Sequence, residues 1–256
     1  MARNTFLASV AVALSVSGLG MAGAQAAKRD FPPAASAGAA EQEVRTDTYA
    51  FSYSYPAAAG AIPGLKAALE ADRAKQKARL ARSATEGRRM AQKQGYEFSA
   101  YDYGKGWDVV TDLPGWLSLS AAYSGYEGGA HGYTGFDTLL WDKRAGTKRA
   151  PLDLFLFKRA FNDAVRAPFC AALDKERAER RDGEKTELFG DCIDPTDTVI
   201  ILGSSNGKAF NRIGFLIAPY LAGPYVEGSY EVTLPVSPAL VAAVKPQYRA
   251  IFAVMN

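Results

Sequence analysis

The only histidine of the chain, His131, lies in a glycine-rich run, Gly128-Gly129-Ala130-His131-Gly132. Tyr126 and Glu127 stand just before it and Tyr133 just after. An imidazole near a carboxylate is the pairing from which general bases and metal ligands are built. The same ring can instead touch a partner, or bond to its own loop and hold its shape. Glycines around it allow positive φ and a close approach of the backbone to another surface. Tyr126, Glu127, His131 and Tyr133 are therefore the candidate binding residues, and no catalytic set is assigned.

A second pattern, Gly203-Ser204-Ser205-Asn206-Gly207, has the form G-x-S-x-G and follows an apolar stretch, as a hydrolase nucleophile elbow does. An elbow opens a helix, whereas Asn206-Gly207 signals a hairpin ahead of another strand. The histidine also precedes the serine, the reverse of that fold's order. Glu127 and Asp137 could form a glycosidase pair, but separation decides that chemistry and 27 acids offer many such pairs. Walker A, dinucleotide, H-E-x-x-H and C-x-x-C motifs do not occur. With one histidine a zinc site would have to draw on carboxylates as well. No metal or cofactor is assigned.

These residues need a frame. Tyr49, Phe51, Tyr53 and Tyr55 put an aromatic at every second position, a strand with one packed face. A long helix follows over 62–94, with Pro63 in its first turn and Gly95 at its stop. It is basic: eight Lys or Arg lie between Arg73 and Lys93, with Glu86 the only acid in that span. That face could meet an anionic polymer or lipid headgroups, or simply be solvated. The alternation resumes over 96–103, with Gly104-Lys105-Gly106 as a turn into a strand at 107–111. Pro114-Gly115 turns the chain into 116–126, the glycine-rich loop interrupts, and 133–142 pairs with 147–152. A helical region spans 154–181, kinked or split at Pro168. Short strands at 198–202, 212–217 and 229–234 and a last helix at 238–244 complete the pattern. Strands and helices do not alternate as βαβ units, so the fold class is α+β with mostly antiparallel sheets.

The N-terminus reads as a secretory leader. Arg3 precedes an uncharged apolar run from Phe6 to Met21, and Ala24-Gln25-Ala26 offers the A-x-A cleavage pattern. The run is rich in Ala, Ser and Gly, a poor match to the ~20 strongly apolar residues of a membrane span. No cysteine lies at the cleavage point to take a lipid. Removing 26 of the 256 residues leaves 230, and the formal charge falls from +3 to +2 because Arg3 is the only charge removed. That balance points to neither nucleic acid nor a strongly acidic partner. Residues 27–45 are small and polar and read as a flexible lead-in. Cys170 and Cys192, an even pair in an exported chain, are expected to form a disulfide. A periplasmic or secreted location follows, with no span after leader cleavage.

Two segments resemble a known family. Tyr123-Ser124-Gly125-Tyr126-Glu127-Gly128-Gly129-Ala130-His131-Gly132, the 136–141 strand and the Leu152-Asp153-Leu154-Phe155 ending are similar to the extracytoplasmic domain of RsiV-type anti-sigma factors. So is Ile213 to Tyr225, with its Ala218-Pro219-Tyr220 and Gly223-Pro224 elements, and so is the 231–235 strand. The resemblance covers roughly 46–245. It implies two linked subdomains: 46–112, similar to the accessory domain of the PdaC-type peptidoglycan deacetylase, and 113–250, RsiV-like and carrying the histidine loop. It implies a non-catalytic binding function without cofactor, toward a lysozyme-type protein or peptidoglycan-type glycan.

This chain departs from the family in three ways. Only Met1 to Thr5 precede the apolar run, which leaves no room for a sigma-binding segment. The histidines of a deacetylase metal site are missing. Lysozyme is basic, and the basic helix is the wrong face for it. The competing expectation is an envelope hydrolase acting on glycan or ester bonds through Glu127, His131 or Asp137.

Overall fold

The computed structural model describes residues 39–183 and 188–255. The leader over 1–26 and most of the lead-in lie outside them. Two sheets organise the described chain. The larger has the order β1-β2-β3-β4-β5-β6, made of β1 Ala40–Arg45, β2 Tyr49–Tyr55, β3 Tyr101–Leu113, β4 Trp116–Tyr126, β5 Tyr133–Asp142 and β6 Thr147–Arg149. Between β2 and β3 run α1, Ala57–Gly60, and α2, Pro63–Gln94. After a 3-10 turn at Pro151–Leu154 come α3, Lys158–Arg180, and the small sheet of β7 Val199–Gly203, β8 Arg212–Ile217 and β9 Tyr230–Pro235. α4, Pro238–Ala243, and a 3-10 helix, Pro246–Ile251, close the chain. The architecture is α+β and mostly antiparallel. One pair departs from that rule: β2 and β3 are parallel, with α2 as their crossover, the connection a parallel pair requires.

α2 ends where its sequence says it should, with Pro63 in its first turn and Gly95 left-handed at φ 75° accepting the stop. Its Leu65, Leu69 and Leu80 pack on Tyr53, Tyr55, Leu117, Leu139 and Trp141 of the large sheet. Side chains alternate along a strand, so the neighbours Trp116 and Leu140 join the other core. There they meet Ile200, Leu202, Phe215 and the α3 residues Phe161 and Phe169. The large sheet is thus a shared middle layer, and β7 packs against β3, β4 and β5.

Four expectations are revised. Residues 40–45, read as lead-in, form β1, paired along its length with β2. Gly104-Lys105-Gly106 is no turn but the middle of β3, paired on both sides. A side chain at Gly104 would place its Cβ 2.8 Å from Ser52 Oγ, so strand packing explains the small residue there. The strand read over 147–152 stops at Arg149 and gives way to the 3-10 turn. Pro168 does not split α3, which runs unbroken through it. It sits on the exposed side, where water can satisfy the carbonyl it leaves unpaired, while Phe161, Val165, Phe169, Leu173 and Arg177 form a buried ladder opposite.

Cys170 and Cys192 are disulfide-bonded, with Cα atoms 5.5 Å apart. The bridge ties α3 to the segment that leads into β7 and stabilises the fold by about 3 kcal/mol on the chain-entropy model. None of the described helices is long and apolar enough to cross a membrane.

Candidate functional site

The histidine loop connects β4 to β5. Gly128 and Gly129 adopt φ 91° and 95°, a region that L side chains avoid, and Tyr126 Oη donates to the Gly129 carbonyl at 3.0 Å. The loop therefore has a defined shape. It delivers His131 to the surface with both ring nitrogens engaged: Nδ1 lies 2.7 Å from the Gly132 carbonyl and Nε2 lies 3.1 Å from Tyr220 Oη. A carbonyl only accepts, so Nδ1 carries a proton, and in the neutral ring Nε2 accepts from Tyr220. The imidazole also stacks on Tyr225, centroids 4.1 Å apart. Tyr220 and Tyr225 are themselves in contact at 5.6 Å.

The loop between β4 and β5 and the loop between β8 and β9 thus meet through His131. Around them lies an apolar surface: Tyr220 is 54% exposed, Leu221 43% and Val226 90%. Tyr220 has φ 70°, a strained value for a bulky residue, and its amide bonds the Gly223 carbonyl at 3.0 Å.

The remaining candidates point elsewhere. Glu127 and Tyr133 turn toward α2. Arg79 Nη1 meets Glu127 Oε1 at 2.8 Å, Tyr133 Oη donates to the same carboxylate at 2.9 Å, and Arg79 Nη2 donates to Tyr133 at 3.1 Å. Burial pulls the Glu127 carboxyl upward, but hydrogen bonds from Ser83, Tyr133 and Arg79 outweigh it and hold the group below its ordinary range. This set braces the base of the loop to the helix. Asp137 belongs to a third set. Lys105, its side chain 3% exposed, donates to Asp72 at 2.8 Å and to Asp137 at 2.6 Å. Tyr53 also donates to Asp72, at 2.8 Å, and receives the Trp107 indole N–H at 2.8 Å. Glu127, His131 and Asp137 therefore go to three separate hydrogen-bonded sets. Ser205, in the former elbow pattern, sits in a turn, its amide bonded to Asn211 Oδ1 at 2.8 Å. Among the described residues no three His, Cys, Asp or Glu side chains gather into a metal site.

Three arginines at the end of α3 hold the tyrosine loop, and the sequence reading missed them. Arg177, 4% exposed, donates to the carbonyls of Ala222 at 2.9 Å, Asp191 at 3.0 Å and Gly190 at 3.3 Å. Arg180 donates to the Glu227 and Ser229 carbonyls at 2.8 and 2.7 Å, its guanidinium 3.9 Å from the Tyr230 ring centroid. Arg181 grips Glu227 with both forks, at 2.8 and 2.9 Å, the bidentate geometry favoured for a guanidinium and a carboxylate. One signal was available: Arg177 occupies the next step of the every-fourth-residue apolar ladder of α3.

Asp72, Glu127 and Glu227 all sit below their ordinary values of 3.8, 4.5 and 4.5. For Asp72 and Glu127 burial opposes the shift and their hydrogen bonds overcome it; for Glu227 the Arg181 contact is the main cause. A depressed folded value means stability that is complete above the unfolded value and lost as pH falls through the folded one. The urea midpoint is expected to be flat from about pH 5 to 7 and to drop steadily below about pH 4.5. A flat profile down to pH 3 contradicts the assignment, and Glu227→Gln should remove part of the slope.

The stretch from β1 through the histidine loop now has a defined form: two paired strands, a crossover helix, a parallel third strand and the hairpin arm that carries the loop. Residues 42–134 match the family described as Deacetylase PdaC. The match runs past residue 112 and includes Tyr123–Gly132, which the sequence reading had placed in the second, RsiV-like part. No curated protein matches the chain. Among solved structures, a DUF3298 family protein from Pseudomonas aeruginosa PAO1 is 17% identical with a TM-score of 0.48, covering 84% of this chain and 94% of that one. A DUF3298 family member from Bacteroides fragilis is 14% identical with a TM-score of 0.47, covering 77% and 89%.

Proposed function

We propose that this chain is an extracytoplasmic binding protein of the cell envelope that captures a partner on the surface formed by His131, Tyr220 and Tyr225. The observation that carries the reading is the meeting of the two loops: imidazole on Tyr225, hydrogen bond to Tyr220, exposed Leu221 and Val226 beside them. Aromatic side chains held in place at low entropic cost, beside exposed apolar residues, are the usual anchors of protein recognition. The disulfide and the PdaC match over 42–134 support an oxidising, envelope-side location. A lysozyme-type protein is the partner suggested by the sequence resemblance, and a peptidoglycan-type glycan is the other.

The nearby acids Glu127 and Glu227 are neutralised by Arg79 and Arg181, so capture should rest on aromatic and apolar contact. It should then survive moderate salt. The test is capture of lysozyme and of purified peptidoglycan by the oxidised mature chain at low and moderate salt. His131→Ala and Tyr220→Ala are expected to weaken capture roughly tenfold or more each. Both side chains are exposed, so the variants should fold. Capture unchanged in both variants, or abolished by moderate salt alone, would refute this surface.

A further inference from the structure

A cavity of about 600 Å³ shares no residue with the histidine surface. Four segments enclose it: the Leu113–Trp116 turn between β3 and β4, the Asp142–Ala145 turn between β5 and β6, Lys208 in the turn after β7, and the Pro246–Ile251 helix. Its volume is that of a small-molecule site, ~300–1,000 Å³. Much of the wall is apolar, from Leu113, Pro114, Trp116, Tyr248 and Ile251. Trp116 and Tyr248 meet edge to face at 6.0 Å, and Phe210 backs Trp116 at 6.4 Å.

The charges in the lining are unbalanced. Asp142 is already satisfied: Oδ1 accepts the amides of Arg144 and Ala145 at 3.1 and 3.0 Å, and Oδ2 accepts Arg149 Nε at 3.2 Å. Arg149 also covers the Tyr248 ring at 5.8 Å. Arg144 and Lys208 use their backbone amides in turn hydrogen bonds. Among the described residues neither side chain has an acidic partner. The lining therefore offers two unpaired cations, one acid already in use and a largely apolar wall. A bare inorganic anion would leave that wall unused, and a neutral apolar molecule would leave the cations unused.

We infer that this cavity binds a small organic carboxylate, its apolar body against Trp116 and Tyr248 and its anionic end served by Arg144 and Lys208. The inference does not depend on the histidine surface. It is tested by NMR titration of the oxidised mature protein, reading the Trp116 indole and Tyr248 ring signals. The probes are phenylacetate, its neutral isostere phenylacetamide, and inorganic phosphate.

Phenylacetate is expected to bind saturably, and phenylacetamide roughly tenfold more weakly, as loss of a charge-assisted contact implies. R144A/K208A, which alters two exposed turn residues, should bring phenylacetate down to the amide's affinity, and H131A should leave it unchanged. Equal affinity for acid and amide, displacement by phosphate at the same concentration, no saturable shift, or full binding by R144A/K208A would each overturn the assignment.

Discussion

Replacing Arg177 with alanine is expected to lower the unfolding free energy by about 3 kcal/mol, because a buried guanidinium that donates to three backbone carbonyls at once is lost. Those carbonyls belong to Ala222 in the tyrosine loop and to Gly190 and Asp191 beside the disulfide. The guanidinium is thus the point where α3, the Cys170–Cys192 bridge and the loop carrying Tyr220 and Tyr225 are joined. Amide exchange should accelerate across 218–229 more than in β4 or β5, because the loop loses its anchor while the large sheet keeps its ladder. Arg177→Lys should recover only part of the stability, since one ammonium cannot span three divergent acceptors as a planar fork does. A loss below about 0.5 kcal/mol, within the range of ordinary surface substitutions, would mean that water replaces the guanidinium without cost and that Arg177 does not position the loop.

Lys105→Met should cost about 2–3 kcal/mol, measured as a shift in urea midpoint with the slope unchanged. The ammonium is almost fully buried and lies between two carboxylates, Asp72 at 28% and Asp137 at 48% side-chain exposure. Removing it leaves Asp72 of α2 and Asp137 of β5 facing each other with no cation between them. Their partial exposure keeps the cost below the ~3–5 kcal/mol of a fully buried broken pair. Asp137→Asn is the internal comparison: its carboxylate is half in water, so about 1 kcal/mol or less is expected. Adding Asp72→Asn and Asp137→Asn to Lys105→Met should restore part of the loss, because the triple variant has no unpaired charge. A Lys105→Met protein as stable as the parent would show that the Asp72–Lys105–Asp137 chain is a solvated surface arrangement and not a support of the α2–sheet join.

Much of the frame was legible because it depends on neighbours in sequence. The aromatic alternation from Tyr49 to Tyr55 became β2 with Phe51, Tyr53 and Tyr55 inside. Pro63 and Gly95 bounded α2, and Pro114-Gly115 joined β3 to β4. The cysteine pair became the disulfide. Each of these rests on a conformational preference of a few adjacent residues or on a count.

Errors arose where composition and tertiary pairing disagree. Gly104-Lys105-Gly106 has the composition of a turn, yet it lies in a strand. Gly104 fits beside Ser52, and Lys105 is drawn inward by acids from α2 and β5. Pro168 can split a helix by local rule, yet the ladder from Phe161 to Arg177 buries enough surface on the opposite side to carry α3 through unbroken.

The sequence by itself determined the α+β class, the extent of the principal helix and the presence of a shaped glycine loop around His131, because short-range sterics and periodicity set these. Only the tertiary structure decided which way each candidate side chain faces. It sent Glu127 and Tyr133 to Arg79, sent Asp137 to Lys105, and set His131 on Tyr225 and against Tyr220. Those partners lie tens of residues away along the chain. Their meeting depends on how α2 packs on the large sheet, how β3 and β5 lie within it, and where the loop between β8 and β9 is held, and no local pattern of residues encodes that packing.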